Sequence, residues 1–131
     1  MLDASIVVAG VRAGEPGHRA ARPLLVRALT GADEIVVPAI FPIEVASALV
    51  RRGLDGRDVR KLVASLRSTA TEIVAITGRR VSAITEVALA CRLRAADAAY
   101  VWLAEDRGLP LYTLDDEMLA RGSSRCSVVR P

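Results

Sequence analysis

The chain reads as an α/β domain with a parallel sheet flanked by helices on both faces, and three observations predict it. Short β-branched runs alternate with longer helix-period segments along the whole length. The chain is 52% hydrophobic but only 3% aromatic, so its core must come from Ala, Val, Leu and Ile, which suits helices laid closely on a sheet. No Pro/Gly/Ser-rich linker, repeat or low-complexity segment interrupts the pattern, so 131 residues are expected to form a single domain over 1–131.

Taken in order, Met1 to Asp3 is expected to end a very short first strand. Ser5 to Arg12 and Gly17 to Leu29 read as helices, the second with Leu24, Leu25, Ala28 and Leu29 on one face. Ile35-Val36-Val37 is a buried-strand signal, and Pro38 suits a break before the next helix. Ile40 to Arg52 is a strongly apolar helix stopped by Gly53. Asp55 to Ser68 is amphipathic, and Thr71 to Val74 is a second internal strand. Arg79 to Leu93 and Ala95 to Arg107 are two more helices, the latter halted by Gly108 and Pro110. Leu111-Tyr112-Thr113 is a strand, a short helix starts at Asp116, and Ser127 to Val129 is an edge strand.

Composition narrows the function classes. No apolar run reaches the ~18 residues of a membrane span, and no basic stretch followed by an apolar segment marks an export signal. Cys91 and Cys126 lack metal-type spacing and read as buried small hydrophobes of a reduced, cytosolic chain. The net charge is +3, and Lys61 is the only lysine among 18 Lys and Arg. Arg51, Arg52, Arg57, Arg60, Lys61 and Arg67 fall in one stretch, which is either a solvated helix face or a phosphate-holding surface.

The chemistry lies in the acidic residues. Asp3 follows the first strand, and Asp115 follows the strand Leu111-Tyr112-Thr113, where open α/β sheets bind ligands. Glu44 and Asp97 sit inside apolar helices, with neighbours Ile40, Phe41, Ser47 and Ala48 for the first and Leu93 and Val101 for the second. A carboxylate on an inward face costs several kcal/mol unless it is paired or holds a metal. Each also has a plainer reading. Asp3 or Ser5, Asp97 and Asp115 could cap helices, and Glu44 could pair with an arginine. The four together read as one acidic pocket; the hydroxyls of Ser5 and Thr113 either assist it or satisfy the backbone, and Asp116 is either a solvated neighbour or a minor contributor. His18 receives no role. Tyr100, Trp102 and Tyr112 read as core rather than as base-stacking platforms.

Four segments carry a family resemblance. They are Leu2-Asp3-Ala4-Ser5-Ile6-Val7-Val8, Pro38 to Leu49 with Glu44, Leu93-Arg94-Ala95-Ala96-Asp97-Ala98-Ala99-Tyr100-Val101, and Leu109-Pro110-Leu111-Tyr112-Thr113-Leu114-Asp115. Their acidic residues are spaced by about 40, 50 and 20 positions. In this order they resemble the PIN-domain ribonucleases, especially the VapC-type toxins of toxin–antitoxin pairs. The resemblance implies a Mg²⁺- or Mn²⁺-dependent endoribonuclease with Asp3, Glu44, Asp97 and Asp115 at its catalytic metal site. It further implies products with 5′-phosphate and 3′-hydroxyl ends, a homodimer, and inhibition by a small antitoxin. A PIN-like RNA-processing nuclease or RNA-binding domain outside such a pair is the alternative. One departure stands out: only Met1 and Leu2 precede Asp3, where family members have several strand residues. Rival acidic folds fit worse. A response-regulator receiver needs a lysine beside its aspartate, and Lys61 lies in a mid-chain helix; a haloacid-dehalogenase-type phosphatase needs Asp-x-Asp, and here the run is Asp3-Ala4-Ser5.

Overall fold

The computed structural model describes residues 1–69 and 71–131. Its order is α1 (Ala4–Val11), α2 (His18–Thr30), β1 (Ile35–Pro38), α3 (Phe41–Arg51), α4 (Gly56–Ser68), β2 (Thr71–Val74), α5 (Gly78–Cys91), α6 (Ala95–Arg107), β3 (Leu111–Tyr112), a π-helical turn (Met118–Gly122) and β4 (Val128–Val129). All strand pairings are parallel. β1 pairs with β2 from Ile35–Thr71 to Pro38–Val74, and β3 pairs with β4 through Leu111–Val128 and Tyr112–Val129. The expected first strand is reduced to one parallel bridge, Leu2 to Tyr112. Two backbone hydrogen bonds make it, Tyr112 N–H to Met1 O at 3.1 Å and Asp3 N–H to Tyr112 O at 3.0 Å. The N–H groups of Leu111 and Thr113 go instead to Ser127 and Val129, so β3 lies between the N-terminal stub and β4.

Local chemistry sets the element ends. Asp55 accepts from Arg57 N–H at 2.8 Å and starts α4, while Gly31 and Gly108 adopt left-handed φ and close α2 and α6. Pro38 is the last residue of β1 and stands at the break before α3, as its position in the sequence suggests. The core is aliphatic, as composition requires. Ile6, Leu25, Val37, Val45, Leu49, Leu103 and Leu111 are buried, with Phe41 and Tyr100 the only large rings among them. Helix α6 packs on both β1 and β3 and thereby bridges the two strand pairs. Cys91 is buried and Cys126 partly so, both as free thiols. Among the described residues no helix is long and apolar enough to cross a membrane.

The α1–α2 hairpin is the most intimate helix pair, and Gly10 makes it possible. A Cβ there would stand 2.9 Å from both Leu25 Cβ and Leu25 Cδ2. The first of these atoms is fixed to the backbone, so the helices would have to separate. Alanine gains about 1 kcal/mol of helix propensity, against an overpacking cost of about 1–3 kcal/mol. We predict that Gly10→Ala lowers the melting temperature by several degrees. Gly78→Ala, where an added Cβ meets nothing within 4 Å, should hold or raise it. Equal melting curves for the two variants would contradict the close packing.

Candidate active site

Asp3, Glu44, Asp97 and Asp115 all line one cleft of about 600 Å³, together with Ser5. They reach it in the same way, each at a helix N-terminus. Asp3 is the N-cap of α1, Glu44 and Asp97 lie in the first turns of α3 and α6, and Asp115 Oδ1 accepts Met118 N–H at 2.9 Å at the start of the last helical turn. The unpaired N–H groups and partial positive charge of these termini favour carboxylates. Capping and site membership are therefore not alternatives for Asp3 and Asp115.

Asp3 is the most buried of the four, at 6% exposure. One of its oxygens, Oδ2, accepts from Ser5 N–H (3.2 Å), Ser5 Oγ–H (2.5 Å) and Thr113 Oγ1–H (2.9 Å). Each hydroxyl is itself held by an incoming backbone donor. Leu114 N–H donates to Ser5 Oγ and Asp115 N–H to Thr113 Oγ1, both at 3.0 Å. Two relays therefore join the loop after β3 to Asp3, and one of them positions Asp115. Burial still pushes the Asp3 carboxyl above its ordinary pKa, against the opposing pull of its hydrogen bonds to Ser5 and Thr113.

Glu44 sits at the border of α3's buried face, beside Val45 but flanked by exposed Ile43 and Ser47. It forms no ion pair with an arginine among the described residues. Its partner is the Tyr100 hydroxyl, which donates to Oε2 at 2.7 Å. Desolvation raises the Glu44 pKa and the Tyr100 bond opposes it. Tyr100 is fully buried, so it is core, but its hydroxyl also fixes a site carboxylate. Its place one helical turn after Asp97 was the available signal for that second task. Among the described residues Asp97 caps nothing: Oδ2 is buried and has no hydrogen-bond partner there. Its pKa is pushed up to about 6, first by desolvation, then by Asp115 and Asp3, with Arg94 opposing and Glu44 adding a little.

The remaining candidates divide. Asp116 is not brought into the cleft; its side chain is 93% exposed and paired with Arg130. His18 binds the Ala9 carbonyl through Nδ1 at 2.7 Å. Trp102 carries the Arg80 guanidinium over its ring. Of the basic stretch, only Arg51 and Arg52 border the cleft. Glu15, from the α1–α2 loop, also lines it and was missed by sequence reasoning, because its partners Arg12 and Arg52 come together only in the fold.

The donor set is wholly oxygen, and an orphaned buried carboxylate oxygen faces like-charged neighbours, which fits a hard divalent cation. Among the described residues no three His, Cys, Asp or Glu side chains are gathered tightly enough to enclose an ion by themselves.

Folding raises the Asp97 pKa from about 4, so the folded state holds this proton more tightly than the unfolded chain does. Below pH 4 the group is protonated in both states and adds no ionisation cost; stability declines as pH rises from 4 to 6, and above 6 the cost of an ionised, half-buried carboxylate is fully present. With allowance for solvent screening, Asp97→Asn should stabilise the metal-free protein by about 1 kcal/mol above pH 6. The gain should vanish below pH 4. Chemical denaturation across this range checks it, and a pH-independent difference would contradict the coupling.

The sequence profile of the PIN domain matches residues 1–122. Among solved structures, the crystal structure of PAE2754 from Pyrobaculum aerophilum aligns with a TM-score of 0.64 over 98% of this chain and 88% of that one. The two are 21% identical, so the likeness is one of fold. No curated protein matches. With the profile spanning nearly all of a parallel α/β chain whose acidic cleft lies beyond its strand ends, this protein belongs to the PIN domain family.

Proposed function

We propose that the protein is a Mg²⁺- or Mn²⁺-dependent endoribonuclease acting as the toxin of a toxin–antitoxin pair. PIN domains are generally nucleases, so nuclease chemistry is what membership brings. The observation that carries the metal reading is Asp97 Oδ2, buried without a partner and pressed by three other carboxylates. Such an arrangement is unfavourable for an empty pocket and suitable for one that receives a cation.

Asp97 and Asp115 would be the principal ligands, with Asp3 and Glu44 holding its hydration shell. A bound divalent ion would supply the positive charge and Lewis acidity for attack of water on a phosphodiester. The chain's own groups provide the rest. Ser5 and Thr113 hold Asp3 in one orientation, and Tyr100 holds Glu44 by Oε2, leaving Oε1 for a water or ligand. Asp97, with its raised pKa in the metal-free cleft, must lose its proton before it can ligate, so affinity for the cation should climb as pH rises through about 6. Arginines at the rim would draw the RNA backbone toward an otherwise anionic pocket.

The expected partners are RNA, a small antitoxin whose segment fills the open cleft, and a second copy of the chain. The copy would sit on the apolar groove of about 330 Å³ formed by Ile40, Ile76, Val81, Ile84 and Leu89. The cytosol is the expected compartment.

The test is cleavage of pooled cellular RNAs by antitoxin-free protein with Mg²⁺, Mn²⁺ or EDTA. Cleavage should need the metal, fall at least a hundredfold in Asp97→Asn, and leave 5′-phosphate ends. Undiminished cutting in excess EDTA would sink the metal mechanism, and no cutting by folded protein under either metal would sink the nuclease.

A further inference from the structure

The cleft has two electrically opposite ends, and helix α3 runs between them. Its residues Glu44, Ser47, Ala48 and Arg51 line the cleft at helical spacings of three and four, so they form one stripe. Asp3, Glu44, Asp97 and Asp115 occupy one end. At the other stand Arg51, the last residue of α3, and Arg52 just past it, with Glu15.

These cations are in different states. Arg52 donates from Nε to Glu15 Oε1 at 3.2 Å and from Nη1 to the Ala48 carbonyl at 3.3 Å. Arg12 donates to the same Glu15 oxygen at 3.1 Å and to the Arg52 carbonyl at 2.7 Å. One carboxylate thus pins two guanidinium groups and ties the α1–α2 loop to the end of α3. Arg51 has no ion pair or hydrogen bond among the described residues and is exposed. The remaining cations of the stretch, Arg57, Arg60, Lys61 and Arg67, do not line the cleft.

We infer that Arg51 is a phosphate subsite of the substrate strand, distinct from the site of cleavage. The inference rests on the ribonuclease reading and names how the strand lies. Seven residues of helix separate Glu44 from Arg51, about 10 Å along the axis. An offset of about 10 Å along the helix suits a neighbouring phosphate on the same strand better than the scissile one. A free guanidinium presents a fork of N–H donors matched to phosphate oxygens. Arg52 and Arg12 each commit Nε to Glu15 and Nη1 to a backbone carbonyl, and of the two only Arg52 lines the cleft. The strand then runs along α3, with its scissile bond at the carboxylates and its next phosphates over Arg51.

Fluorescence anisotropy with a single-stranded RNA dodecamer in EDTA tests this without any cutting. Arg51→Ala should weaken binding about five- to tenfold and reduce the slope of log affinity against log salt by nearly one. Arg51→Lys should restore most of the slope, and Arg60→Ala, off the cleft, should bind as wild type does. Circular dichroism checks that each variant is folded. An Arg51→Ala slope equal to wild type, an Arg60→Ala loss as large as that of Arg51→Ala, or no RNA binding by the wild type would overturn the subsite. Arg51-dependent binding by a protein that cuts nothing with Mg²⁺ or Mn²⁺ would uphold the subsite and overturn the nuclease reading alone.

Discussion

The buried carboxylate of Asp3 is the constraint around which this molecule is arranged. An anion at 6% exposure costs several kcal/mol unless donors surround it. The chain supplies those donors from both of its ends, Ser5 from the start of α1 and Thr113 from the end of β3. Because each hydroxyl is fixed by a backbone N–H of the loop after β3, satisfying Asp3 also places Leu114 and Asp115. The first strand, only a single bridge long, could not hold Asp3 by ladder hydrogen bonds alone. The two relays compensate for that brevity and lock the stub to β3.

The same geometry creates an electrostatic conflict that local structure only partly relieves. Four helix starts point their partial positive charge at the cleft, and Tyr100 gives Glu44 a hydrogen bond. Among the described residues Asp97 finds neither a hydrogen bond at Oδ2 nor an ion pair, and its pKa is pushed up to about 6. A fold selected for stability alone would replace it with an apolar residue, as buried charges tolerate well. On a helix otherwise filled by Ala98, Ala99, Val101 and Leu103, it is the charge that the proposed cation would neutralise.

Much of this was legible in the sequence, and the reasons differ by element. The bounds of α6 (Ala95–Arg107) and β2 (Thr71–Val74) coincide with their sequence reading, because a left-handed glycine ends the first and a compact β-branched run defines the second. The parallel α/β class followed from alternation, and four acidic positions were visible as charges where apolar faces or strand ends should be. What stayed hidden depends on contacts between residues far apart in the chain. The Tyr100–Glu44 bond spans 56 positions and the Arg52–Glu15 pair 37, and no periodicity encodes either. The basic stretch looked uniform in sequence, yet α3 ends and α4 turns away within it, so only Arg51 and Arg52 reach the cleft. Asp116 seemed a neighbour of the site because it follows Asp115, but the turn there sends it to solvent and Arg130.

The central claim is that carboxylates from four separate elements serve one cation. Paramagnetic broadening of amide resonances by substoichiometric Mn²⁺ tests it most directly. The account predicts that signals around Asp3, Glu44, Asp97 and Asp115 broaden together at the lowest Mn²⁺ ratios, that excess Mg²⁺ restores them, and that Asp97→Asn abolishes the effect. Broadening confined to exposed carboxylates such as Glu86 and Asp106, or unchanged in Asp97→Asn, would contradict it.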